Sequence, residues 1–256
     1  MEAEGMKIEA HILTYNEAAL LPYILRHYQT FCSRICIYDA YSTDRTIEIA
    51  VAAGAEVYDW DTDGRFNDGE AKKLKNTCWR GTDADWIWVS DADELPYFPG
   101  GAEATLAIYE AGRIAVVKPH GYEMFSEAMP CGTGQIYDEI KHGAPDDYWY
   151  AKPILFSPRR VKSIRFDAGA HGCTAELVDG GRLQMPIGSA LTEPPTYLLH
   201  FHHIGPLARI AARYDAALAR QSRENLANGW GNRTPGILHA QEKRAMILKK
   251  LKQVIP

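Results

Sequence analysis

The 256-residue sequence has no uninterrupted apolar run of about 18 residues, the length a membrane-spanning helix needs. Its first residues, Met1-Glu2-Ala3-Glu4-Gly5-Met6, lack the basic start and apolar stretch of a signal peptide. The expectation is a soluble, cytoplasmic protein. Cys32, Cys36, Cys78, Cys131 and Cys173 are odd in number and widely spaced, with no CxxC pair and no finger-like Cys/His array. That argues against a disulfide framework and against structural zinc, and for free thiols. There is no internal repeat and no low-complexity segment. No glycine lies between residues 11 and 25, which removes the Gly-rich loop expected of a sugar-1-phosphate nucleotidyltransferase near its start.

What is present is an ordinary globular composition, 46% hydrophobic, enough for one sizeable core with a helical appendage. The net charge of -5 hides an asymmetry: residues 201–256 hold ten Lys or Arg against three Asp or Glu, a local +7 that leaves -12 for residues 1–200. The first hundred residues alternate strand and helix patterns. Ile8 to Leu13 reads as a buried strand, Asn16 as the cap of a helix reaching about Thr30, and Arg34 to Asp39 as a second strand. Ser42-Thr43-Asp44 opens a helix that Gly54 stops, and Ala55 to Tyr58 is a short strand. A helix from about Glu70 to Arg80 leads into the strand Trp86 to Ser90. Strands separated by single helices imply a parallel sheet with right-handed crossovers.

Past Pro96 the rhythm weakens. Ile114 to Lys118 and Ile154 to Phe156 are strand-like, while Phe125 to Tyr150 reads as long loops. One helix from Pro206 to about Ala227 and another from about Pro235 to Lys252 close the chain. On the first, Arg209, Arg213, Arg220 and Arg223 recur at same-face intervals. Such a stripe suits an anionic partner (lipid headgroups, a lipid-phosphate acceptor or nucleic acid) or ion pairs with the acidic main body.

Asp91 and Asp93 end the strand-like run Trp86-Ile87-Trp88-Val89-Ser90, where no stability argument wants them. Clustered carboxylates repel unless a cation lies between or beside them. In an open α/β sheet, ligands bind beyond the carboxyl ends of the strands, so this pair is placed for a metal-bound phosphate.

Thr14-Tyr15-Asn16-Glu17, Tyr41-Ser42-Thr43-Asp44-Arg45-Thr46 and Asp91-Ala92-Asp93-Glu94, in that order and with Lys75-Asn76 ahead of the third, complete a pattern. In these motifs the first hundred residues resemble family 2 glycosyltransferases and their relatives with the glycosyltransferase-A (GT-A) fold. The resemblance implies an α/β, Rossmann-like, mostly parallel sheet flanked by helices. It implies a GT-A domain over residues 1–204, with a nucleotide-sugar-binding half (1–100) and an acceptor-side half (101–204), and a basic C-terminal helical extension over 205–256. The implied activity is metal-dependent transfer of a hexose or related sugar from a nucleotide-sugar donor, a UDP-sugar by default, with inversion. Mn2+ or Mg2+ would bridge the diphosphate to the carboxylates and stabilise the charge of the leaving group.

By the same resemblance Asp91 and Asp93 are the carboxylate metal ligands, Asp93 the likelier direct one, and Asp91 also contacts the sugar or ribose. His202 and His171 are candidates to complete the metal shell. Thr14, Tyr15 and Glu17 would line the base and ribose pocket with Asp39 and Asp44, and Lys75 would lie near the donor. Structural roles stay open for three of these: Glu17 favours a helix dipole, Asp44 a helix cap, and Lys75 a solvated face. Many relatives carry paired acids at the end of the second strand; here Ala40 follows Asp39, which leaves the nucleotide open.

Inverting transfer needs a carboxylate to take the acceptor's proton. Glu123, Asp146 or Asp147, and Glu176 are the candidates, with Glu123 and Asp147 carried forward. Tyr122, Tyr148, Trp149 and Tyr150 form either a sugar-stacking platform or part of the core. The acceptor is a glycan, a lipid-linked sugar or a nucleic acid. The alternatives are a glycosyltransferase acting on a nucleic-acid base and a non-catalytic nucleotide-sugar-binding protein.

Overall fold

Every residue of β1 (Ile8–Thr14) is buried, as a strand covered on both faces must be. The computed structural model describes residues 5–230 and 234–256, so Met1 to Glu4 of the leader reading lie outside the described residues. Around β1 the chain lays down α1 (Leu21–Tyr28), β2 (Arg34–Asp39), α2 (Thr46–Ala52), β3 (Glu56–Asp59), α3 (Asp68–Thr77) and β4 (Trp86–Asp91). β5 (Glu94–Tyr97), α4 (Ala102–Ala111), β6 (Val116–Val117), β7 (His120–Ser126), α5 (Ile136–Glu139), β8 (His142–Pro145) and β9 (Leu155–Phe156) follow. The last part holds β10 (Val161–Phe166), β11 (Cys173–Leu177), β12 (Arg182–Met185), β13 (Tyr197–Ile204), α6 (Leu207–Ala219), α7 (Arg223–Asn228), α8 (Gly236–Lys250) and β14 (Lys252–Gln253).

The main sheet runs β3-β2-β1-β4-β9-β6, parallel from β3 to β4, with β9 antiparallel to its two neighbours. This is the expected α/β class, a mostly parallel sheet flanked by helices. Register matters for the site: Thr14 lies opposite Asp39 and Leu13 opposite Asp91, so three strands end level with one another. A second sheet, β14-β8-β7-β13-β5, begins where the first stops. β4 ends at Asp91 and β5 starts at Glu94, so Asp91-Ala92-Asp93 is the corner at which the chain leaves one sheet for the other. β10, β11 and β12 form a separate antiparallel sheet.

One continuous core, centred on side chains such as Trp86, Trp88, Tyr28 and Phe156, joins the two larger sheets and α1. α6 and α8 share a small cluster of their own, Ile210, Ala211 and Ala240. All five cysteines are free thiols. No described helix is long and apolar enough to cross a membrane.

Three expectations are corrected. Asn16 does not cap α1: it adopts a left-handed backbone (φ 53°), and its Oδ1 accepts from the amide of Thr43 at 2.7 Å. A short side chain that can bond locally is what tolerates that conformation. The stretch from Phe125 to Tyr150 is not all loop, because β7 continues to Ser126 and α5 and β8 follow; their partners lie far away in sequence. The helix expected over 206–227 is two helices. Ser222 caps α7 by accepting from the amide of Asn225 (3.1 Å), and Gln221 forms a parallel bridge with Phe66.

Candidate functional site

At the corner after β4, Asp93 is buried and surrounded by donors. His202 Nδ1 and Arg213 Nη2 each lie 3.0 Å from its Oδ2, and His200 Nε2 lies 3.7 Å from Oδ1. Strand pairing delivers these rings. β13 runs antiparallel to β5 with His200 opposite Glu94, and the amide of Phe201 donates to the carbonyl of Asp93 at 2.7 Å. The rings of His200 and His202 stack, 5.7 Å apart and 7° from parallel. Burial alone would raise the Asp93 carboxyl, but His200, His202 and Arg213 outweigh it and hold the group well below the usual carboxylate range.

The two rings differ in charge. Burial would depress His200, yet Glu123 and Asp93 prevail and raise it to about 9. Burial together with the Arg213 guanidinium pushes His202 down to about 3, so it is neutral at physiological pH. Because ionised Asp93 can only accept, the proton of neutral His202 is on Nδ1. Its Nε2 is then a bare lone pair, buried and without a hydrogen-bond partner. One ligand atom each from Asp93, His200 and His202 lie within 4.8 Å of one another, a carboxylate and two imidazoles able to hold a divalent cation once His200 releases a ring proton to it. The orphaned nitrogen is the observation that fits the site to a metal.

Glu123, on β7, is behind this cluster. It is buried, 2.6 Å from His200 Nδ1 and 2.9 Å from His203 Nδ1, and these two rings hold its carboxyl below the ordinary range against the raising effect of burial. His203 Nε2 in turn is 2.8 Å from the Tyr214 hydroxyl. Tyr150 stacks on His200 at 4.6 Å, 21° from parallel.

Asp91 has a different environment. Lys75 Nζ donates to its Oδ1 at 2.8 Å and Lys152 Nζ lies 4.0 Å from Oδ2, while Lys152 also pairs with buried Glu94. Burial would raise Asp91, but the two lysines prevail and lower it. Asp91 therefore lies outside the Asp93 cluster and is matched by ammonium groups. His171 is also outside: its Nδ1 is 2.7 Å from the carbonyl of Trp149, and burial with the nearby Lys152 charge pushes it down to about 4.

The residues expected to line a pocket around the first motif have protein partners. Thr14 Oγ1 donates to Asp39 Oδ1 (3.0 Å), which also accepts from Ser42 Oγ (2.6 Å), so Asp39 closes the turn after β2. Asp44 caps the loop into α2, accepting from the amides of Ala18 and Thr46. Glu17 Oε2 accepts from Arg213 Nη1 at 2.8 Å. The Arg220 guanidinium lies over the Tyr15 ring, 3.1 Å from its centroid. Arg209, Arg213 and Arg220 thus turn inward, Arg209 donating to the carbonyl of Ile204, while Arg223 is exposed on α7; the ion-pairing alternative holds for Arg213.

Of the remaining acids, Asp147 accepts from the amide of Gly121 (2.9 Å) and keeps 46% of its side-chain surface exposed. Asp146 caps the turn over Tyr148 and Trp149. Glu176 pairs with Ser163 and lines a groove of about 590 Å3 against α3. Tyr122 packs edge-on against Tyr197, so only Tyr148 and Trp149 of the four aromatics stand exposed. The sequence reading carried forward neither His200 nor Lys152. The alternation His200-Phe201-His202 was a usable signal, since a strand puts both rings on one side.

No family model and no curated protein matches the chain. Among solved structures it is similar to S. aureus TarS 1–349 in complex with UDP, with 16% identity over 59% of this chain and 47% of that one (TM-score 0.38). It is similar to mannosyl-3-phosphoglycerate synthase from Rubrobacter xylanophilus, with 21% identity over 50% and 43% of the two chains (TM-score 0.36). A third is glucosyl-3-phosphoglycerate synthase from Mycobacterium tuberculosis in complex with Mn2+, uridine diphosphate and glucosyl-3-phosphoglycerate, with 18% identity over 46% and 44% (TM-score 0.30). The chain spans less than half the length of each of these three structures.

Proposed function

We propose that the chain transfers a glycosyl group from a nucleotide-sugar, a UDP-sugar by default, whose diphosphate is held at Asp93. The observation that carries this reading is the gathering of one ligand atom each from Asp93, His200 and His202 within 4.8 Å, where the parallel strands end, with the buried Nε2 of His202 left without a hydrogen-bond partner. Asp93, His200 and His202 would hold a divalent cation, which would neutralise charge growing on the leaving diphosphate. Two imidazoles and a carboxylate suit Mn2+ better than Mg2+, which prefers an all-oxygen shell.

The chain's own groups do the rest. Arg213 supplies a fixed positive charge beside Asp93, and Lys75 with Lys152 supplies two more around Asp91. Glu123 is sealed behind His200 and orients that ring. Asp147 is the better-placed of the two expected acids to take the acceptor's proton, because it is open to solvent and Glu123 is not. A single base acting on the acceptor fits an inverting displacement.

The test is thermal denaturation with nucleoside diphosphates, with and without Mn2+. A ligand at 100 times its dissociation constant stabilises by roughly 2.7 kcal/mol, an easily measured rise in Tm. UDP with Mn2+ should raise Tm in the parent and not in Asp93→Asn. Absence of a Mn2+-dependent rise with every nucleoside diphosphate overturns the proposal.

A further inference from the structure

We propose that Tyr148 and Trp149 form the acceptor subsite and that the acceptor is a saccharide; the role as acceptor rests on the transferase reading above. The two side chains are 54% and 50% exposed. Their rings stand 5.3 Å apart and 84° from parallel, so they make a two-walled corner. Large aromatic surfaces are left in water at a cost, and a rigid pair of them beside a reaction centre implies an occupant.

The corner is pinned rather than loose. Tyr150 N donates to the carbonyl of Asp146 at 3.0 Å, closing one tight turn, and Asp146 Oδ1 accepts from the amides of Tyr148 (3.2 Å) and Trp149 (2.9 Å). Behind the turn Gly121 leaves no room for a side chain, because a Cβ there would come within 2.4 Å of the Tyr150 backbone. The turn is also tied to both flanks of the Asp91-Ala92-Asp93 corner. On one side Tyr150 stacks on His200, next to Asp93. On the other the carbonyl and ring of Trp149 contact His171, which feels the charge of Lys152 and Lys75 beside Asp91.

The chemistry around the rings selects the ligand class. A pyranose ring offers a flat C–H face to an aromatic wall and a rim of hydroxyl donors. Asp147, adjacent in sequence and 46% exposed, supplies acceptor oxygens for such hydroxyls. A nucleic acid would stack on the same rings but needs cations along its backbone. Residues 144–151 contain Asp146 and Asp147 and no Lys or Arg, and Lys152 beyond them is buried and paired with Glu94, which disfavours a phosphodiester strand. A lipid chain has no use for the carboxylates.

Saturation-transfer NMR on the full chain with UDP and Mn2+, using glucose-, galactose-, mannose- and N-acetylglucosamine-based trisaccharides as probes, reads binding from the ligand side. At least one probe should bind the parent. Trp149→Ala should weaken it by about tenfold or more, and Trp149→Phe by no more than about threefold. The UDP–Mn2+ rise in Tm should be the same in all three proteins, which separates loss of the subsite from loss of fold or donor site. Equal binding by the parent and Trp149→Ala, or no binding of any trisaccharide to the parent, overturns the proposal. Saccharide binding without any UDP–Mn2+ response would keep the saccharide site and remove its role as acceptor.

Discussion

Arg213 joins Glu17 to Asp93: its Nη1 donates to Glu17 at 2.8 Å and its Nη2 to Asp93 at 3.0 Å. One side chain from α6 thereby ties the turn after β1 to the corner after β4. Both carboxylates are largely buried, with side-chain exposures of 11% and 9%, so the guanidinium is compensating two charges that water scarcely reaches.

Removing it should be costly. Arg213→Met leaves two buried carboxylates without that partner, and breaking a buried pair typically costs about 3 to 5 kcal/mol. Urea unfolding of Arg213→Met, Glu17→Gln and the double variant should show strong coupling, with the double variant more stable than the sum of the single losses predicts. Additive losses would show that the pair is not acting as a unit.

The histidines should separate by role. His202→Ala should abolish the Mn2+-dependent part of UDP binding in calorimetry, because it removes one of the three groups of the cluster, a ring with a buried, unpartnered Nε2. His171→Ala should keep it, since that ring faces Trp149 and not Asp93. The reverse pattern would relocate the metal.

Gly121→Ala should destabilise the protein by about 1 to 3 kcal/mol through overpacking, because the atoms in its way are backbone and cannot swing aside. The 146–151 turn should shift with it and loosen the Tyr150–His200 stack. Urea midpoints measure the first effect. Tyr150 ring signals in NMR report the second.

A fourth expectation concerns pH. Burial among Tyr28, Phe31 and Tyr137 pushes His27 down to about 4 from an ordinary 6.5. The unfolded chain takes up its proton near pH 6.5 and the folded chain only near 4, so between those values the unfolded state binds more protons. Stability therefore falls as pH falls through this window and levels off below it. At about 1.4 kcal/mol per pH unit, the loss from this residue approaches about 3 kcal/mol. His27→Phe should flatten the stability profile between pH 6.5 and 4; an unchanged slope would assign it to other groups.

What the sequence made legible was local. β1, β2, β4 and β9 follow from short apolar runs, whereas the solvated face open to Lys75 is ruled out: it is buried and donates to Asp91, a partner the sequence did not name. What stayed hidden depends on partners distant in the chain. β7 and β13 are parallel neighbours 77 residues apart, and nothing near Glu123 announces His200. The arginine spacing on α6 showed correctly that Arg209 and Arg213 share a face, but spacing cannot say whether that face points to solvent or to Glu17. Ser222 carried a readable capping signal inside what otherwise scanned as one helix.

The irregularity in β13 between His200 and His203 has a consequence for how this protein can vary. Three imidazoles within four residues are shared between two carboxylates, His200 and His203 on Glu123 and His202 on Asp93, because the ladder slips there. Residue count, as much as residue type, decides which ring meets which acid. Insertion of one residue between 200 and 203, or deletion of Phe201, would preserve every histidine and still reassign them, so this strand is constrained in length as well as in composition.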